Sequence, residues 1–186
     1  MTNKNSRAWC YGCTLVLGLL ATDLFAMDAA GVVLGKGMND VLIQSGSIAS
    51  TEIGGVDLRW PTEWADTFAW FEVDQVFVNV QLAHWRGSHG GAGDELNVMA
   101  LTALWRWQQE NDWFADAGVG VTRLSQDTYE DVELSGRNQF ALDFAVGKRL
   151  NERWELSLRY RHYSNGYTAN PNPGLDGAVL LASYLF

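Results

Sequence analysis

The sequence predicts an all-β protein, an eight-stranded antiparallel transmembrane β-barrel of the bacterial outer membrane. Three observations favour this fold. Apolar and polar residues alternate with period two over most of the chain, which is typical of strands whose two faces meet different environments. The polar face carries charges of both signs, and short turns alternate with long polar loops, as in outer-membrane barrels.

The first 26 residues are expected to be a secretory signal peptide. Lys4 and Arg7 precede an uncharged apolar stretch over residues 8–21, and small residues close the segment near Ala26. This order is the layout of a signal peptide, and fourteen apolar residues fall short of the roughly 20 that a membrane-spanning helix needs. We therefore expect a barrel domain over residues 27–186, with an uncleaved anchor as the alternative.

Eight segments after the signal peptide carry the alternation. The clearest is 154–161, where the even positions are Trp, Leu, Leu and Tyr and the odd positions are Glu, Ser, Arg and Arg. Residues 61–75 interrupt the order of short and long connections, and we expect their aromatic segment to extend the neighbouring strands. The predicted strands are 31–37, 52–60, 76–83, 94–107, 113–123, 138–146, 154–161 and 176–186.

The charged face of these strands is assigned to the barrel interior. Eight strands enclose an interior that side chains can fill, so we expect an ion-pair network inside and an apolar face toward lipid. A soluble barrel such as a lipocalin would place charge outside and apolar side chains inside. The residues expected inside are Asp57, Arg59, Asp143, Glu155, Arg159 and Arg161.

Aromatic residues are expected to form belts at the two membrane interfaces. The chain ends on Phe186, which resembles the terminal aromatic residue of bacterial outer-membrane barrels. Trp85, Tyr160 and Tyr163 fall near the rim that carries the long loops. The residues expected at the opposite, short-turn rim are Trp60, Trp105, Trp107, Trp113 and Trp154.

Composition narrows the functional classes. The net charge of −9, from 13 basic and 22 acidic residues, argues against a nucleic-acid partner, because such binding depends on basic side chains. Cys10 and Cys13 lie in the predicted signal peptide, so the barrel has neither a disulfide nor a cysteine zinc site. His84 continues an outward strand face, and His89 is expected in a solvated loop. We expect no metal and no cofactor.

His162, Ser164 and Asp176 are the candidate catalytic residues. Counting by two along the last two strands places all three on the outward face, at the rim where loop 165–175 joins the strands. Polar groups that face lipid are costly unless they pair or contact headgroups. A serine nucleophile needs a base, and the base needs a third group that holds its tautomer. The spacing alone leaves an interfacial hydrogen-bond cluster open as the alternative.

Residues 162–176, HYSNGYTANPNPGLD, resemble the C-terminal signature of the PagL family of lipid A 3-O-deacylases, outer-membrane esterases that remove an acyl chain from lipopolysaccharide. The FADAGVGV segment at 114–121, the length and the eight-strand layout extend the resemblance. It implies that His162 is the base, Ser164 the nucleophile and Asp176 the orienting acid, and that the substrate is lipid A in the outer leaflet.

The same resemblance implies that Asn165, Gly166 and Asn172 lie near the oxyanion of the reaction. Asp176 departs from the best-known member of the family, in which a glutamate holds the third position of the triad. Because aspartate is one methylene shorter, either the hairpin brings its strands closer together or the triad is weaker or rearranged.

Two other functions stay open at this point. One is a non-enzymatic small barrel, an adhesin or a structural protein, which would act through loops such as 38–51 and 124–136. The other is a barrel acyltransferase, which would pass the acyl chain to an acceptor instead of to water. Formation of a homodimer is also left open.

Overall fold

A computed structural model of the chain describes residues 27–38, 51–87 and 93–186. The predicted signal peptide over residues 1–26, His89 and most of the 38–51 loop lie outside the described residues. No helix in the described ranges is long and apolar enough to cross a membrane.

Ten strands form within the described residues, and eight of them close into an antiparallel barrel. Neighbours in the barrel follow one another along the chain, apart from a two-stranded hairpin inserted between Leu124 and Asn138, and the first strand closes against the last, so no strand of the barrel has an open edge. This confirms the predicted fold, and each predicted strand agrees with the structure within a few residues. The strands are β1 (Ala29–Met38), β2 (Glu52–Thr62), β3 (Gln75–Arg86), β4 (Glu95–Gln108), β5 (Trp113–Leu124), β6 (Thr128–Tyr129), β7 (Val132–Glu133), β8 (Asn138–Asn151), β9 (Trp154–Ser164) and β10 (Leu175–Leu185).

Ion pairs fill much of the barrel interior. Arg106 binds Asp116 through both carboxylate oxygens, at 2.7 and 2.9 Å, and reaches Glu155 at 2.8 Å. The predicted interior network is present, and it also includes Arg106 and Asp116, which were not among the predicted residues. The other pairs are Arg59–Glu155 at 2.9 Å, Arg159–Asp57 at 3.3 Å, Arg161–Asp57 at 2.7 Å and Arg161–Asp143 at 2.9 Å.

The interior below the long loops is apolar instead of charged. The β6–β7 hairpin places Tyr129 against Trp85, with ring centroids 6.4 Å apart, and Thr51 Oγ1 lies 3.0 Å from the Tyr129 hydroxyl. Burial raises the pKa of Tyr129 to about 12, so this hydroxyl is neutral. The placement of Trp85 and Tyr163 in an outer belt is wrong, because odd positions of β3 and β9 face inward and both side chains are buried.

The outer wall of the barrel is apolar. Large aliphatic and aromatic side chains project from every strand of the wall, and many of them are about half exposed. A soluble barrel would bury these side chains, so the wall faces lipid and the lipocalin-like alternative is excluded. The exposed side chains of the wall include Val32, Leu34, Val56, Leu82, Met99, Leu101, Val119, Val121, Phe140, Phe144, Val146, Leu158 and Leu180.

The connection between β2 and β3 is a short 3₁₀ helix, Ala65–Phe71. The expectation that this segment extends the neighbouring strands is therefore wrong. Phe68 packs edge-on against Trp105, with ring centroids 5.4 Å apart. The indole Nε1 of Trp107 donates a hydrogen bond to the Phe71 carbonyl at 3.0 Å. These contacts hold the segment against the outside of the short-turn rim, where tryptophan is favoured at a membrane interface.

Replacing Arg106 with Met should destabilise the barrel, because Asp116 and Glu155 would lose their shared cation inside the protein. Removing one partner of a buried ion pair costs about 3–5 kcal/mol. Urea titration of the refolded barrel, followed by tryptophan fluorescence, measures the change. Arg123→Met on the exposed face of β5 is the control, since an exposed polar contact contributes about 1 kcal/mol or less. Equal losses in the two variants would contradict this account of the interior.

Candidate active site

The three candidate residues lie on the outer face of the β9–β10 hairpin, at its long-loop end. Asp176 stands directly opposite His162 in the antiparallel register, and Ser164 follows two residues after His162. Since successive side chains of a strand point to opposite faces, all three project from the barrel wall. The structure thus brings His162 and Asp176 into contact and places Ser164 on the same face.

His162 Nδ1 lies 2.6 Å from Asp176 Oδ1. Directly opposed residues of an antiparallel pair have Cβ atoms about 4.5–5.5 Å apart, so an aspartate side chain is long enough to reach the imidazole. The carboxylate is an acceptor, and it therefore holds the proton on Nδ1. Nε2 is left with its lone pair free to act as a base.

Ser164 lies about 6.6 Å along the strand from His162, at about 3.3 Å per residue. Among the described residues no hydrogen bond joins the two side chains. Catalytic hydrogen bonds often tighten only when substrate is bound. The arrangement needs only a local movement of two side chains that already share a face.

The site is shielded although it faces outward. The exposed fractions are 3% for His162, 9% for Ser164 and 1% for Asp176. Gly174, with φ of 72°, approaches the imidazole so closely that a Cβ there would lie 2.8 Å from His162 Cε1. Leu142 of β8 lies opposite His162 on the other side. Exclusion of water strengthens the electrostatic contact between the ring and the carboxylate.

The loop after β9 carries the residues expected near an oxyanion. The Asn165 backbone N–H donates to Asn172 Oδ1 at 2.9 Å, and Asn165 Nδ2 donates to the Pro171 carbonyl at 2.9 Å. Both nitrogens of Asn165 are therefore already engaged. Asn172 Nδ2 is buried and has no hydrogen-bond partner among the described residues. Gly166 has φ of 61°, a turn conformation that glycine favours.

An apolar groove of about 660 Å³ lies on the outer wall next to the site. Its floor is a row of directly paired residues on four strands, which begins at Phe140, the partner of Ser164. With strands about 4.8 Å apart, the row ends about 19 Å from Ser164. Thr168 of the loop above the site also lines the groove. The row consists of Phe140, Val121, Leu101 and Val80.

The other histidine and carboxylate groups of the described residues form no comparable site. Within residues 27–38, 51–87 and 93–186, no group of three or more His, Cys, Asp or Glu side chains could hold a metal ion. His84 Nδ1 lies 3.0 Å from Asn97 Oδ1 on the exposed face of β3 and β4, on the opposite side of the barrel from β9 and β10.

Tyr160 and Gly174 belong to the site, although the sequence analysis did not assign them to it. The Tyr160 hydroxyl donates to Asp176 Oδ1 at 2.7 Å. The alternation of β9 places Tyr160 on the same face as His162, so the sequence pattern could have identified Tyr160 as part of the site. The contact of Gly174 with the imidazole depends on the path of the loop, which no pattern in the sequence reveals.

Comparison with known proteins points to one family. The family model described as "Lipid A 3-O-deacylase (PagL)" matches residues 53–184. Lipid A deacylase PagL of Bordetella bronchiseptica is 27% identical over 128 residues, which cover 68% of this chain and 71% of the relative. Lipid A deacylase PagL of Pseudomonas aeruginosa is 22% identical over 141 residues, which cover 73% of this chain and 82% of the relative.

Solved structures share the barrel. The crystal structure of the outer membrane enzyme PagL superposes with a TM-score of 0.64 at 16% identity, covering 85% of this chain and 99% of that one. Neisserial surface protein A superposes with a TM-score of 0.51 at 12% identity, covering 86% of this chain and 95% of that one. At such low sequence identities, the likeness to these structures shows the fold of this chain.

The contact between His162 and Asp176 makes a prediction about the imidazole itself. In the ¹⁵N NMR spectrum of the barrel in micelles, His162 should show a protonated Nδ1, because the carboxylate holds the proton on that nitrogen. Asp176→Ala should remove this preference for Nδ1, and the His84 signals should not change. An unprotonated Nδ1 in the unaltered protein would contradict the geometry.

Proposed function

Because this chain belongs to the PagL family of lipid A 3-O-deacylases, we propose that it cleaves the 3-linked acyl ester of lipid A as a serine esterase. The family makes it an ester hydrolase that acts on lipid A in the bacterial outer membrane. The proposal assigns Ser164 as nucleophile, His162 as base and Asp176 as the group that orients the base. The supporting observation is the 2.6 Å contact between His162 and Asp176 on the membrane-facing wall.

In the first half of the proposed reaction, Ser164 Oγ attacks the carbonyl carbon of the ester and His162 Nε2 accepts the hydroxyl proton. Asp176 keeps Nδ1 protonated and stabilises the imidazolium. The bond between the carbonyl carbon and the sugar oxygen then breaks. His162 returns the proton to that oxygen, so the sugar leaves as an alcohol and the acyl chain stays on Ser164.

In the second half, a water molecule is the nucleophile, as Ser164 Oγ was in the first. His162 removes a proton from the water, whose oxygen attacks the acyl-serine carbonyl, and the proton then goes to Ser164 Oγ as the hydroxy fatty acid leaves. Each half passes through a tetrahedral oxyanion that needs hydrogen-bond donors. Asn172 Nδ2 is the donor we assign, since it is buried without a partner among the described residues, and Asn172 Oδ1 is held by Asn165.

The groove beside Ser164 is proposed to hold the acyl chain. It is apolar, and it begins at Phe140, directly opposite Ser164. An acyl chain in the groove would bury its apolar surface against the wall. Binding there would place the ester carbonyl beside the nucleophile.

Two further parts of the proposal concern the whole chain. Residues 1–26, outside the described residues, carry the layout of a signal peptide, and we infer that they direct export. The sequence leaves the formation of a homodimer open, and sedimentation of the barrel in detergent would test it.

Ser164→Ala should abolish release of the fatty acid, because losing the nucleophile of such a triad lowers the rate by about 10⁶-fold in a well-studied serine hydrolase. Mass spectrometry of lipid A from cells that express each variant measures the loss of one hydroxyacyl group. Ser157→Ala is the matched control, since Ser157 lies on the same strand but faces the interior. Activity that persists in folded Ser164→Ala protein would overturn the serine mechanism.

Val121→Trp should fill the middle of the groove and shift cleavage toward shorter acyl chains. One methylene of a substrate in an apolar pocket changes the specificity constant by about 10–200-fold. Because the tryptophan would displace at least one methylene of the acyl chain, kcat/KM for the natural lipid A should fall about tenfold or more. The measurement is the rate on lipid A species of graded chain length. Val119→Trp, on the same strand and face but outside the groove, is the control. Equal effects of the two changes would contradict the assignment of the groove.

A further inference from the structure

We propose that Tyr160 is a positioning residue of this site, which holds and solvates the carboxylate of Asp176. The inference rests on the proposed function and extends the triad by one hydrogen bond. Asp176 Oδ1 accepts a hydrogen bond from the Tyr160 hydroxyl at 2.7 Å and from His162 Nδ1 at 2.6 Å. A single oxygen atom thus accepts hydrogen bonds from both the base and the phenol.

The strands determine how the phenol reaches this oxygen. Tyr160 lies two residues before His162 on the outer face of β9, and its partner across the β9–β10 pair is Ala178. Its partner on β8 is Phe144. A small residue on the Asp176 side and a large ring on the other side leave space for Tyr160 to lean toward the carboxylate. The ring is half-buried as a result.

A carboxylate that projects from the wall of a membrane barrel needs hydrogen-bond donors, because an ionised group in apolar surroundings is costly. The Tyr160 hydroxyl supplies a donor without adding a charge. It also restricts rotation of the short aspartate side chain, so that Oδ1 stays aimed at Nδ1. Asp176 is shorter than a glutamate, and the hydrogen bond from Tyr160 is a second contact that fixes its side chain.

Because the two donors share Oδ1, each weakens the other. Removing the Tyr160 hydroxyl should strengthen the hydrogen bond from His162 Nδ1–H while that bond is formed. It should also leave the carboxylate free to rotate away from Nδ1 whenever the bond breaks. The Nδ1–H proton resonance should therefore move downfield in Tyr160→Phe. The turnover number should fall about tenfold, the lower end of what a hydrogen bond to a charged group contributes, and KM should change less than about twofold.

The matched control is Tyr184→Phe. Tyr184 also projects from the outer face of this hairpin and its hydroxyl accepts a hydrogen bond from Arg153 Nη1 at 3.2 Å, but it lies at the opposite end of the barrel. Tyr184→Phe should leave the turnover number and the imidazole resonances unchanged. Tyr160→Leu serves as a second variant should Tyr160→Phe not refold, and the same loss of turnover is expected.

A double-variant cycle with Asp176→Ala separates positioning from a general structural role. If Tyr160 acts through the carboxylate, Tyr160→Phe should lower the small residual rate of Asp176→Ala no further. An equal loss in both backgrounds, or a wild-type rate and spectrum in Tyr160→Phe, would overturn the inference. Activity in folded Ser164→Ala would instead overturn the proposed serine mechanism, so the two failures are distinguishable.

Discussion

The buried pairing of guanidinium and carboxylate groups inside the barrel is the interaction on which the rest of the structure depends. Arg106, Arg159 and Arg161 each contact at least two carboxylates contributed by other strands. These contacts cross the lumen, so the charged faces of the strands are directed inward together. Because alternate residues point to opposite faces, the same register directs the even positions of β9 and β10 outward. The location of His162, Ser164 and Asp176 on the wall is thus a consequence of the packing inside.

The outer location of the site suits a substrate that does not leave the membrane. An enzyme for a soluble ester would place its triad in a cleft open to water. Here the barrel wall offers an apolar surface on which an acyl chain could lie, and the loop with Gly174 covers the imidazole of His162. Because His162, Ser164 and Asp176 are almost fully buried, water would reach the proposed acyl-serine from the loop side, at the edge of the membrane. The same hairpin thus meets lipid on its outer face and water at its loop.

Much of this structure could be predicted from the sequence, since period-two alternation determines strands, faces and the interior charges. Errors occurred where tertiary contacts decide. Trp85 and Tyr163 have odd positions that face the apolar upper interior, although aromatic residues near a rim suggest a belt. The 3₁₀ helix Ala65–Phe71 depends on the packing of Phe68 against Trp105 and on the hydrogen bond from Trp107 to the Phe71 carbonyl. At the site, the register reveals the His162–Asp176 pair, whereas the donors in the loop depend on a chain path that has no periodic signal.

The groove beside Ser164 opens sideways, into the plane of the membrane, so the concentration that matters for the proposed reaction is the one within the membrane. The substrate arrives by diffusion within a leaflet, so its supply depends on the number of lipid A molecules per unit area. In detergent, the corresponding quantity is the mole fraction of lipid A in each micelle. Adding detergent would therefore slow the reaction by surface dilution even when the amounts of protein and lipid A in the tube stay the same. A Michaelis constant expressed in moles per litre therefore depends on the amount of detergent, and variants are compared at one fixed ratio of lipid A to detergent.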